Sequence, residues 1–121
     1  MARVKHFEFP ADNPDRAIEF YSNVFGWKFH KWEGPMEYWL VQTGSEEAGI
    51  DGGMTRRQDP GSAVVNTIEV SKLDDTIKSV EQRGGRTVVP RTPIPGVGYI
   101  AYFHDPEGNM FGLIEPDTSA K

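Results

Sequence analysis

The chain has 121 residues, no cysteine, and a formal net charge of −5 from 18 acidic and 13 basic side chains. That length suits one compact domain or two very small modules sharing a core, and acidity spread along the chain argues against nucleic acid or an anionic membrane surface as partner. No apolar run is long enough to span a bilayer, no signal-peptide core precedes the first strand-like residues, and the lack of cysteine fits a reducing compartment, so the expected location is cytoplasmic.

Val4–Phe9 alternates, with Phe7 and Phe9 on one face and His6 and Glu8 on the other, which predicts a strand with two distinct faces that Pro10 ends. Asp12-Asn13-Pro14-Asp15 then supplies an N-cap, a first-turn proline and an acidic first turn. Ala17, Ile18, Tyr21, Val24 and Phe25 follow at helical spacing, and Gly26 fits a left-handed C-terminal cap, so Pro14–Phe25 is predicted as an amphipathic helix. Trp27–Trp32 and Glu37–Thr43 read as strands joined by a turn. Ala48–Thr55 reads as a weaker strand, where Gly49, Gly52 and Gly53 suggest a bulge or a close-approaching ligand.

Arg56–Ser62 has the composition of a connector, after which the pattern restarts. Val64–Val70 is β-branched, Asp74 or Asp75 can cap a helix carrying Leu73, Ile77 and Val80, Gly84-Gly85 ends it, and Arg86–Pro90 is strand-like. Tyr99–Phe103 and Asn109–Glu115 form a hairpin around Asp105-Pro106-Glu107-Gly108, a type I turn sequence. A shift of 59 residues lays Asp15 on Asp74, Ile18 on Ile77, Gly26 on Gly85 and Gly53 on Gly112. The expected organisation is therefore a first βαβββ module at 1–57, a connector at 58–63 and a second module at 64–121. The fold class is α+β, a curved mixed sheet around a cleft with the helices outside.

His6 in the first strand, the helix Asp15–Tyr21 running into Val24-Phe25-Gly26-Trp27, and the Asp105–Asn109 turn together resemble the vicinal oxygen chelate superfamily. Its members include glyoxalase I, extradiol dioxygenases, fosfomycin-resistance enzymes and bleomycin-binding proteins. The resemblance implies four positions for metal-binding His or Glu, and His6 matches the first of them. The second falls on Val65 or Asn66, the third on Gly53 with Asp51 beside it, and the fourth on Gly112, which has no side chain to offer. No metal and no cofactor is therefore expected, because a catalytic divalent ion usually takes about three protein ligands.

The expected function is binding of a small molecule in an aromatic-lined cleft by a glyoxalase- or bleomycin-resistance-like homodimer. The alternative is a metal-dependent lyase, isomerase or dioxygenase using a degenerate site with His6 and Asp51. Candidate binding residues are His6, Glu8, Tyr38, Met110, Gly112 and Ile114, the last three sharing one strand face opposite Phe111 and Leu113. Trp32, Trp39, Tyr99 and Tyr102 are the further aromatics expected at the cleft or an interface. His6 and Glu8 are read either as a proton-transfer pair or as an imidazole bonded across the sheet beside a solvated charge.

Overall fold

The computed structural model describes residues 2–121, which form two compact units: His6–Val64, and Val65–Lys121 together with residues 2–5. The first element order is β1 (Arg3–Ala11), α1 (Pro14–Phe25), β2 (Lys28–Lys31), β3 (Tyr38–Gln42) and β4 (Asp51–Arg56). It is repeated by β5 (Val65–Glu69), α2 (Leu73–Gln82), β6 (Arg86–Ile94), β7 (Gly98–His104) and β8 (Met110–Pro116). Both βαβββ modules of the α+β class expected from the sequence are present.

In the first unit the strands run in the order β2-β3-β4-β1, antiparallel except for the parallel pair β4 and β1. Helix α1 has the limits its sequence predicts because both ends are specified locally. Asn13 Oδ1 accepts from the Arg16 amide at 3.1 Å, Pro14 opens the helix, and Gly26 closes it at φ 74°. Alternation sends Phe7, Phe9, Trp39, Val41 and Met54 to the helix side, where Ala17 and Ile18 pack on them; Met54 and Val41 are buried completely or nearly so. The other side of the same strands carries His6, Glu8, Tyr38, Leu40, Asp51 and Gly53.

Two expectations need correction in this unit. Pro10 does not end β1, which continues to Ala11 with Pro10 in register opposite Thr55; an extended backbone is compatible with the fixed φ of proline, and only an amide donor is lost. The glycine-rich strand is not bulged. It runs Asp51–Arg56, paired without a break to β1 and β3, and its glycines admit aromatic rings: the Phe7 ring covers Gly52 and the Tyr38 phenol covers Gly53.

The second unit has the order β5-β8-β7-β6, with β5 and β8 parallel. Phe103, Leu73, Ala101 and Leu113 are its most buried apolar side chains, packed with Val70, Ile77, Val80 and Phe111 under α2. The helix is not capped by Asp74 or Asp75. Lys72 occupies the N-cap and contributes no side-chain bond; instead Glu115 Oε1, from the end of β8, accepts from the Leu73 amide at 2.8 Å. Strand β6 extends past Pro90 to Ile94, with irregular register between Thr87 and Thr92, and as the last strand in its order it tolerates two prolines. The hairpin turn is closed by the Gly108 amide on the Asp105 carbonyl at 2.9 Å, while Asp105 Oδ1 accepts from the Glu107 and Asn109 amides.

The repeat is visible in the strand register. Glu8 pairs with Gly53 and Thr67 with Gly112; Phe9 pairs with Met54 and Ile68 with Leu113; each partner moves by the same 59 residues.

Candidate functional site

The parallel pairing of β1 with β4 decides which groups meet on the open side of the first unit. His6 lies opposite Asp51 and Glu8 opposite Gly53. Because Gly53 has no side chain, Tyr38 of the next strand can lean over it, and a Cβ at Gly53 would collide with the phenol oxygen and its ring carbon. The ring is steadied from its other flank by Trp32, edge-on at 6.4 Å between centroids, and the Trp32 amide donates to the Tyr38 carbonyl at 2.8 Å. So placed, the Tyr38 hydroxyl shares a hydrogen bond of 2.9 Å with His6 Nε2, on the same strand face as Glu8. His6 and Tyr38 are thus joined directly, with Glu8 beside them on the same face.

Burial shapes the charges in this cluster. Loss of hydration pushes the Glu8 carboxyl above the usual glutamate range, against the opposing pull of the Tyr38 hydrogen bond. Loss of hydration likewise holds the His6 imidazole below its ordinary value, against the opposing negative charge of Asp51. Both effects favour neutral side chains. Asp51 itself is committed elsewhere: its Oδ1 accepts from the Thr43 amide at 2.9 Å and from the Thr43 hydroxyl at 3.3 Å.

The corresponding face of the second unit has a different content. The positions that repeat His6 and Glu8 are Val65 and Thr67, both buried, at 7% and 2% exposure. Gly112 faces Tyr102 across the β7–β8 pair, and a Cβ there would lie 2.9 Å from Thr67 Oγ1 and 3.2 Å from the Tyr102 ring. Met110, Gly112 and Ile114 do share one face, with Phe111 and Leu113 on the side of α2, and Met110 is the exposed member. The structure therefore brings His6, Glu8 and Tyr38 together in the first unit, and sets Met110, Gly112 and Ile114 in a row on β8 of the second.

Other aromatics expected at a cleft fall into the cores: Trp39 is 8% exposed among the residues under α1, and Tyr99 packs with the cluster under α2. His104 has its Nδ1 2.9 Å from Arg86 Nη2. A hollow of about 490 Å³ at the start of α1 is walled by Asp12, Asp15, Lys31, Glu37, Trp39 and Arg56, and includes none of the predicted binding residues. Among the described residues, no three His, Cys, Asp or Glu side chains are placed to hold a metal ion. The donor set does not fit a family-type divalent metal: His6 Nε2 is engaged by Tyr38, Asp51 by Thr43, and Gly53 and Gly112 offer no donor.

A family model described as the Glyoxalase/Bleomycin resistance protein/Dioxygenase superfamily matches residues 3–113. A glyoxylase-like domain-containing protein of Didymella fabae is 33% identical over 117 residues, covering 92% of this chain and 91% of its own. A lactoylglutathione lyase of Arabidopsis thaliana is 30% identical over 127 residues, covering 93% of this chain but 44% of its own, so this chain spans less than half that enzyme's length. Among solved structures, methylmalonyl-CoA epimerase from Mycobacterium tuberculosis superposes with a TM-score of 0.69 over 94% of this chain and 87% of its own. Its 20% identity makes this a likeness of fold.

Proposed function

Because the chain belongs to the Glyoxalase/Bleomycin resistance protein/Dioxygenase superfamily, we propose that it binds a small organic molecule on the His6–Glu8–Tyr38 face, without a divalent metal. One observation carries this reading: the Tyr38 hydroxyl, seated over Gly53, takes the His6 nitrogen that a metal would need. What remains is a half-buried surface of hydrogen-bonding groups next to the apolar Leu40, a combination suited to an uncharged ligand with one polar edge. On the second unit, the row of Met110, Gly112 and Ile114 is proposed as a ligand-facing surface in its own right. The working assembly is a homodimer in the cytoplasm, and sedimentation of the purified chain tests the dimer directly.

The binding reading is tested by ligand-observed NMR against a library of uncharged aromatic and carbonyl compounds, on protein treated with EDTA. Binding that survives EDTA and is lost in His6→Ala supports it. Near-stoichiometric divalent metal in protein purified without chelator, removed by His6→Ala, overturns it in favour of the metal-dependent lyase, isomerase or dioxygenase. No helix among the described residues is long and apolar enough to cross a membrane.

A further inference from the structure

The hollow at the start of α1 lies on the helix side of the first unit, away from His6, and an indole forms part of its lining. We infer that it is a binding site for a small organic cation of the quaternary ammonium class, and that the Lys31 ammonium occupies it in the free protein. The inference stands apart from the proposed binding face, because none of the groups it uses belongs to that face.

The strand register builds this hollow. Lys31 on β2 is paired with Trp39 on β3, so both side chains leave the sheet on the same side, the one that α1 covers. One step along the β3–β4 ladder from the pair of Tyr38 and Thr55, the side chains of Glu37 and Arg56 meet: Arg56 Nε donates to Glu37 Oε1 at 2.8 Å and Nη2 to Oε2 at 3.3 Å. Helix α1 begins only at Pro14, and its start leaves an opening of about 490 Å³ beside Trp39, walled by Asp12 and Asp15 and by the Glu37–Arg56 ion pair. In that opening the Lys31 nitrogen stands over the Trp39 ring, 5.5 Å from its centroid. The ring itself is only 8% exposed and is fixed by the core around it, so a ligand need not order it. The protein's own ammonium group thus marks this indole face as a place for a cation.

Charge, hydrogen bonding and size together select the ligand. Once Lys31 swings out, Asp12, Asp15 and Glu37 face Arg56 alone, so the lining favours a positive ligand over a negative one. Two of those carboxylates are already committed, Glu37 to Arg56 and Asp12 to Arg57 at 3.0 Å. A primary ammonium has three N–H donors and would compete with both ion pairs for acceptors. A quaternary ammonium has no N–H to satisfy, and its methyl groups carry the charge onto an indole face directly. The volume is far more than a single metal ion fills and falls in the range of small-molecule sites, about 300–1,000 Å³. Lys31 can leave because its four-carbon stem is flexible, and at 5.5 Å its nitrogen is close to the outer limit of such contacts, about 6 Å. It acts as a competitor built into the chain, and its removal unmasks the site.

The test titrates the full-length protein with tetramethylammonium chloride and follows the indole N–H signal of Trp39 by NMR, the signal being assigned by its loss in Trp39→Phe. Sodium chloride and ammonium chloride at equal ionic strength serve as references. Lys31→Ala is expected to show a saturable shift with tetramethylammonium, none with sodium, and a Kd about 10-fold below that of wild type, the scale of one cation–π contact. Lys28→Ala is the control: it removes the same charge from the same strand, but three residues away, on the other face of β2, and should bind as wild type does. Equal tightening in both lysine variants, or a shift that sodium reproduces, is a general charge effect and overturns the proposal. No saturable shift in Lys31→Ala overturns it too, and tighter binding of ammonium than of tetramethylammonium overturns the quaternary class. His6→Ala should leave this binding unchanged, so the outcome is read independently of the open face.

Discussion

Gly53 is the residue on which the site's geometry turns. A methyl group there would meet the Tyr38 phenol, so Gly53→Ala must displace the ring and break the bond to His6. We expect a loss of about 1–3 kcal/mol in chemical denaturation, the usual cost of overpacking. Gly49→Ala, with nothing within 4 Å of the added carbon, should change stability by less than about 0.5 kcal/mol. The pH dependence of stability belongs to the same residues. Folded Glu8 holds its proton more tightly than the unfolded chain does, so its contribution is fullest below the ordinary glutamate pKa and is lost as pH rises through the raised folded value. Folded His6 binds its proton less tightly, so its contribution is present above the ordinary imidazole pKa and is lost as pH falls through the lowered folded value. Glu8→Gln should therefore gain on wild type as pH climbs from acid to neutral, a trend readable from denaturant midpoints across that range.

At the level of elements, the two helices contrast in how they begin. Helix α1 carries its cap in its own sequence, at Asn13, and its limits could be read residue by residue. Helix α2 borrows its cap from Glu115, 42 residues further along the chain, and local reading chose Asp74 or Asp75 because those are the capping types nearest the start. Glu115→Ala should cost about 1 kcal/mol and speed amide exchange in the first turn of α2. Lys72→Ser, which puts a capping hydroxyl at the N-cap itself, should restore much of that loss in the double variant. The glycine-rich β4 was misread for a related reason. Missing side chains were visible in the sequence, but the Phe7 and Tyr38 rings that cover them come from other strands.

Across the whole molecule, the order of elements and the 59-residue repeat were legible because apolar alternation, helical spacing and turn residues are local signals that recur. The open face was legible in part. His6 and Glu8 follow from alternation within one strand, but the link through Tyr38 depends on a diagonal reach between strands that no spacing rule predicts. The absence of a donor at Gly112 could be read directly; the crowding around it could not. Gly112→Glu should destabilise by about 1–3 kcal/mol, because its Cβ meets Thr67 Oγ1, and Thr67→Ala in the same chain should recover part of that, as measured by denaturant midpoint.

The shared register of the two modules also makes the second one a blank copy of the first. Val65 and Thr67 stand where His6 and Glu8 stand, and a tyrosine ring already overhangs Gly112 as another overhangs Gly53. Val65→His with Thr67→Glu would put an imidazole and a carboxyl at the repeated positions, at the cost of overpacking two buried sites. Duplication thus gives the two modules one strand register with different contents at the same positions, a half-buried polar pair on β1 and a close-packed buried pair on β5.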